Sequence, residues 1–111
     1  MNQLSRLTAT FLAMSFATGP VLAADLSAGR QKAQMCTTCH GRDGIATAPD
    51  APNLAGDSSF YLAEQLRAFR DGRRQHQQMS IIAQSLSDED IADLSAWFAA
   101  IEVTATLPAV D

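Results

Sequence analysis

The sequence predicts an all-α fold, and three observations predict it. Apolar residues recur at spacings of three and four in two separate stretches, nothing alternates with period two for long enough to be a strand, and the breaker residues gather in long loops. The 111 residues allow one domain and little more. At 47% hydrophobic and 18% charged, the chain is too apolar and too weakly charged for a disordered tail. A net charge of −4 leaves no basic surface to replace counterions, which excludes nucleic acid as the expected partner.

The first 23 residues are expected to lie outside that fold. Arg6 is followed by eleven largely apolar residues, 7–17, then by the break at Gly19 and Pro20 and the small or tolerated residues Val21, Leu22 and Ala23. This is the anatomy of a secretory signal peptide cleaved after Ala23. A membrane anchor needs about 20 apolar residues. Removing 23 of the 111 residues leaves 88, residues 24–111, with 7 basic against 12 acidic and a net charge of −5. No later segment is apolar enough to span a bilayer, so the expected product is exported, periplasmic and soluble, with no stable membrane insertion. Eighty-eight residues are near the lower end for a self-sufficient core, so a disulfide, metal or cofactor is expected to support it.

Residues 25–38 read as a first helix, capped by Asp25 or Ser27. Residues 39–57 hold Gly41, Gly44, Pro49, Pro52 and Gly56 and read as a long loop, a length that usually signals function. A second helix begins at Ser58, carries Leu62, Leu66 and Phe69 on one face, and stops at Gly72. Residues 73–78 form a second loop and 79–84 a short turn. Ser87 caps the last helix, with Asp88, Glu89 and Asp90 at its positive dipole end and Ile91, Leu94, Phe98 and Ile101 as its buried stripe. Thr104 and Pro108 mark its end.

Chemistry concentrates at Cys36-Thr37-Thr38-Cys39-His40, the c-type haem attachment pattern. Two cysteines three apart at a helix end lie on one face, where each thiol can add to one haem vinyl group. His40 follows directly and its imidazole can reach the iron. A redox dithiol would need a strand before the motif and a helix after it, and a structural zinc needs four ligands. A plain disulfide would close a tiny loop and add little. After leader removal the methionines are Met35 and Met79. Met35 adjoins Cys36 and cannot swing to the opposite haem face, so Met79 is the expected sixth ligand. Its soft thioether favours Fe(II) and raises the potential. The alternatives are Met79 as core filler, His76 as a ligand in a bis-His site, and an open iron.

On these residues the chain resembles the small bacterial class I cytochromes c with one covalent haem. The likeness rests on Gly29, the segment from Cys36 to Gly41, Pro52-Asn53-Leu54-Ala55-Gly56, Tyr61, Gln65, Leu66, Phe69, Gly72-Arg73, Met79, and Leu86 through Ile91. That last set is similar to single domains of two-haem periplasmic cytochromes c, and one CxxCH makes this a single such domain. The resemblance implies the class I cytochrome c fold, three to five helices wrapped round one haem c with its iron. It implies that the first and last helices cross, with Gly29 opposite Trp97 or Phe98. It also implies that the Pro52 carbonyl accepts a hydrogen bond from His40 Nδ1–H and that Leu54 packs on the haem. Arg67, Arg70, Arg73 and Arg74 face a haem propionate, an acidic partner or only solvent.

The reading is a periplasmic electron carrier, not an enzyme, with both axial ligands retained. Redox proteins are its expected donors and acceptors, and it would act as a monomer or as a subunit of a redox complex. The alternatives are the haem c subunit of a periplasmic dehydrogenase complex, and a haem enzyme or gas sensor with an open distal site.

Overall fold

The computed structural model describes residues 23–110, so residues 1–22 of the expected leader lie outside the described residues. In order, the elements are α1 (Leu26–Lys32), a 3-10 turn (Ala33–Cys36), α2 (Thr37–His40), α3 (Ser59–Arg70), α4 (Met79–Gln84) and α5 (Asp88–Ala99). No strand occurs among the described residues. No described helix is long and apolar enough to cross a membrane.

Asp25 starts α1 as its side chain accepts from the N–H groups of Ser27 and Ala28 at 2.7 and 3.1 Å. The expected single helix over 25–38 is instead helical through His40, and it tightens to 3-10 in the middle. There the Thr37 backbone N–H bonds to the Gln34 carbonyl, and the Thr37 hydroxyl donates to the same oxygen at 3.0 Å. Cys39 and His40 therefore end a helix, where the sequence suggested that Cys39 opens the loop.

Ser58 caps α3, accepting from Tyr61 N–H at 3.4 Å. Of its apolar face, Leu62 and Phe69 are buried and Leu66 is half-buried. The expected short turn at 79–84 is α4. Ser87 and Asp90 form a reciprocal capping box at α5, each side chain accepting the other's N–H at 3.0 Å. This helix ends at Ala99, short of Thr104. The Phe98 carbonyl accepts from Gly56 N–H at 2.9 Å, and the chain beyond residue 101 is exposed, with no apolar face to extend the packing.

In the core, α5 packs on both α1 and α3, while α4 packs on α3. Ile91, Leu94 and Phe98 meet Ala33, Leu62, Ala63 and Leu86, with Cys36, Leu54, Leu66, Trp97 and Ile101 at the border. Ten apolar residues are buried among those described, and four are alanines, so little large side-chain volume fills the centre. Gly29 lets α1 and α5 approach closely. A Cβ there would collide with the Asp93 backbone and stand 2.9 Å from Trp97 Cβ, so Trp97 is the facing aromatic.

Candidate cofactor site

The CxxCH segment presents two free thiols, Cys36 half-buried and Cys39 exposed. Burial pushes the Cys36 thiol up to about 11. A redox dithiol works through a lowered thiol pKa, so this site is unsuited to disulfide exchange. Among the described residues no three His, Cys, Asp or Glu side chains are grouped to hold a metal ion, which leaves a structural zinc without a ligand set.

His40 closes α2 with 7% of its surface exposed. The loop after it is tied together by its own backbone. Thr47 and Ala48 N–H groups donate to the Cys39 carbonyl at 3.0 and 3.2 Å. Leu54 and Ala55 N–H groups donate to the Gly44 carbonyl at 2.7 and 3.1 Å. Asn53 Oδ1 accepts from Ala46 N–H at 2.7 Å. These bonds place the Pro52 carbonyl 2.8 Å from His40 Nδ1. A proline carbonyl can only accept, so Nδ1 carries a proton and donates it, which leaves Nε2 as the nitrogen that could face a metal. Leu54, from the same loop, joins Cys36 and Leu66 along the edge of the apolar core.

Met79 comes from a separate element. It is half-buried at the first position of α4, at the end of an exposed strap over residues 71–78. His76 lies in that strap and serves the start of α4. Its Nδ1 accepts from Met79 N–H at 3.4 Å, and its own N–H donates to Ser80 Oγ at 3.0 Å. The structure thus brings Cys36, Cys39, His40, Pro52 and Leu54 together through α2 and the following loop, while Met79 stands apart, at the end of the α3–α4 connection.

The arginines tether this connection. Arg70 donates to the Leu86 carbonyl at 3.2 Å and to Asp88 at 2.7 Å. Arg73 pairs with Glu64 at 2.7 Å. Arg74 bonds to Gln65 Oε1 at 2.7 Å and covers the Phe69 ring, 4.5 Å from its centroid. Sequence reasoning missed two features. The first is the Arg70 bond to a backbone carbonyl, which no spacing reveals. The second is buried Asp93, whose Oδ1 accepts from Asp25 N–H at 2.7 Å and fixes the start of α1 to α5. Asp93 lies four residues before Trp97, so the expected helix crossing was the signal that could have found it.

The residues present fit haem c. Two unpaired thiols stand at vinyl-attachment spacing, a buried imidazole is oriented through its Nδ1–H, and Leu54 and Leu66 offer an apolar wall beside the core.

Comparison with known proteins points the same way. A family model described as cytochrome c oxidase, cbb3-type, subunit III matches residues 24–98. Cytochrome c-554(548) of Halomonas halodenitrificans is 46% identical over 83 residues, covering 72% of this chain and 100% of that protein. Cytochrome c4 of Pseudomonas aeruginosa is 44% identical over 77 residues, 69% of this chain, but the match spans only 38% of that longer protein. The crystal structure of reduced recombinant cytochrome c4 from Pseudomonas stutzeri superposes with a TM-score of 0.67 at 35% identity, covering 72% of this chain and 47% of that one.

Proposed function

The chain belongs to the cytochrome c family, and on that premise we propose a periplasmic one-electron carrier with His40 and Met79 as axial ligands. Its fold is the class I cytochrome c fold, its cofactor is covalent haem c with iron, and its function is electron transfer. When bound, the haem supplies a one-electron iron couple. Everything else falls to the chain's own residues.

In this reading Cys36 and Cys39 form the two thioether bonds and His40 Nε2 is the proximal ligand. The Pro52 carbonyl fixes the imidazole's tautomer and rotation, Leu54 excludes water from the haem, and Met79 closes the opposite side. The carrying observation is the His40 Nδ1–Pro52 contact of 2.8 Å, which prepares a buried imidazole for a metal at its other nitrogen. Support for Met79 over His76 comes from the strap, where His76 Nδ1 accepts from the first amide of α4, which puts the ring's N–H, not a lone pair, on Nε2. His40 and Met79 would both hold the iron, leaving no position on it for a substrate, and that supports a carrier over an enzyme. Its donors and acceptors are redox proteins that dock briefly. The periplasmic location follows from the secretory leader read at residues 1–23.

The test has two parts. Acid-acetone extraction of the denatured protein leaves haem on the polypeptide, and intact mass equals residues 24–111 plus one haem. Free haem in the solvent layer would defeat the covalent assignment. Met79→Ala abolishes the weak near-infrared absorption of sulfur–iron ligation, opens the iron to CO and lowers the potential, each 59 mV being about tenfold in the one-electron equilibrium constant. His76→Ala leaves all three unchanged. If His76→Ala alters spectrum and potential while Met79→Ala does not, the site is bis-His. Purification of the holoprotein with a stoichiometric second chain would replace the free carrier with a complex subunit.

A further inference from the structure

We propose that the cleft between α1, α2 and α5, behind the attachment segment, binds a small oxyanion of the phosphate or sulfate class. The cleft holds about 250 Å³ and is lined by Arg30, Ala33, Gln34, Thr37, Arg42 and Trp97, among others. Positions 30, 33, 34 and 37 share one helical face, and Arg42 enters from the chain leaving α2. Two exposed arginines from separate segments therefore line one concavity.

Their charge is uncompensated in an acidic chain of net charge −4. Four other arginine and lysine side chains among the described residues have an acidic or polar partner. Lys32 pairs with Asp90 at 2.9 Å, Arg70 with Asp88 at 2.7 Å and Arg73 with Glu64 at 2.7 Å. Arg74 bonds to Gln65 at 2.7 Å. Arg30 and Arg42 have no ion pair within 4.0 Å among the described residues. Arg67 has none either, but it lies on α3 and does not line the cleft. The carboxylates close to these segments are committed to backbone amides. Asp43 accepts from Ile45 N–H at 3.0 Å, Asp25 from Ser27 N–H at 2.7 Å, and Asp93 from Asp25 N–H at 2.7 Å.

The site is also partly ordered in advance. The Arg30 guanidinium lies 5.9 Å from the centroid of the Trp97 ring, which limits its rotamers. Gln34 Nε2 donates to the Arg30 carbonyl at 3.4 Å and Thr37 Oγ1 to the Gln34 carbonyl at 3.0 Å, so the wall between the arginines is fixed. Guanidinium forks match the oxygen pairs of phosphate and sulfate, and charge-assisted bonds of this kind are the strong ones. The volume equals roughly eight waters at about 30 Å³ each, enough for one small ion with part of its hydration shell.

The test is a phosphate titration of the haem-loaded protein, followed by amide and indole NMR shifts, against chloride at matched ionic strength. Expected is a saturable one-to-one response confined to residues of the cleft, with chloride giving none. Arg30→Gln and Arg42→Gln each weaken binding roughly ten- to hundredfold, the loss of one charge-assisted contact. Arg67→Gln removes the same charge from a residue that does not line the cleft, and leaves affinity within about twofold. A non-saturable shift, an equal response to chloride, or equal effects of all three variants would overturn the site.

Discussion

The two connections that bracket the proposed haem site are held in place by different physics. The loop between α2 and α3 is fastened by backbone to backbone, through the Cys39 and Gly44 carbonyls, and by Asn53 to the Ala46 amide. The strap between α3 and α4 is exposed at every residue from 71 to 78; beyond the backbone bonds at its α3 end, such as Arg74 N–H to the Ala68 carbonyl at 3.0 Å, it is fastened by the side chains of Arg73 and Arg74, while Arg70 ties the end of α3 to Leu86 and Asp88. Backbone bonds in a partly buried loop are directional and shielded from salt. Exposed arginine contacts are individually weak and screened. The His40 side is therefore pre-formed, while the Met79 side is the part that loosens first. A carrier gains from that asymmetry if the thioether must be seated last, after attachment.

The largest expected effect tests the rigid side. Gly44 sits at φ +76°, and a Cβ would stand 2.9 Å from both Ala55 Cβ and Ala55 N. Gly44→Ala adds a left-handed conformation at about 1–2 kcal/mol and an overpacked contact at about 1–3 kcal/mol. Denaturant unfolding of the holoprotein should show a loss of about 3 kcal/mol. A loss under about 1 kcal/mol would mean the loop yields, and the contrast with the strap would fail.

Next comes the tether. Arg70→Ala frees the Leu86 carbonyl and Asp88 together. The expected outcome is a smaller loss of global stability than Gly44→Ala, with the sulfur–iron absorption lost on heating before the helices melt. If the absorption and the far-UV signal disappear together, the strap is not a separately opening unit.

These two regions also differ in how far the sequence disclosed them. The rigid side was legible because its chemistry is local. CxxCH, a long glycine- and proline-bearing loop and the Pro52-Asn53-Leu54 segment lie within twenty residues of one another, and spacing carries their geometry. Helix starts were legible for the same reason, since Asp25, Ser58 and Ser87 bond to amides two or three residues on. Stop points were less so. The end of α5 depends on Gly56 reaching the Phe98 carbonyl from more than forty residues away. The extension of the first helix through Cys39 depends on a local tightening that propensity does not show. On the strap side, Met79 was proposed by elimination among methionines, and the arginines read first as a solvated face and only second as partners of a propionate or an acidic protein. Only tertiary structure tells a tether from a solvated charge.

Salt should separate the regions without a mutation. Raising ionic strength from 0.1 to 1 M shortens the screening length from about 10 to about 3 Å. The temperature at which the sulfur–iron absorption is lost should fall, while the His40–Pro52 side, judged by amide protection in residues 44–55, stays unchanged. A parallel loss of protection in both regions would put the same forces in control of each.

The smallest effect is on acid stability, and it divides by region. Arg70, by hydrogen bond first and charge second, holds Asp88 below its ordinary value of 3.8, and Lys32 together with the Ser87 amide does the same for Asp90. A carboxylate whose pKa is lowered on folding stabilises the fold above its ordinary value, and that contribution disappears as pH falls through the lowered one. Both contributions are therefore complete at pH 5–8 and lost only below about pH 4. The two groups act at different places, because Asp88 anchors the strap tether while Lys32–Asp90 joins α1 to α5. Asp88→Asn should flatten the acid dependence of the sulfur–iron absorption and leave the acid limb of global unfolding in place. Asp90→Asn should do the reverse, trimming stability slightly at neutral pH and flattening the limb below about pH 4. If each variant changes both signals alike, acid opens the molecule as one cooperative unit, and the strap is no looser than the loop on the other side of the site.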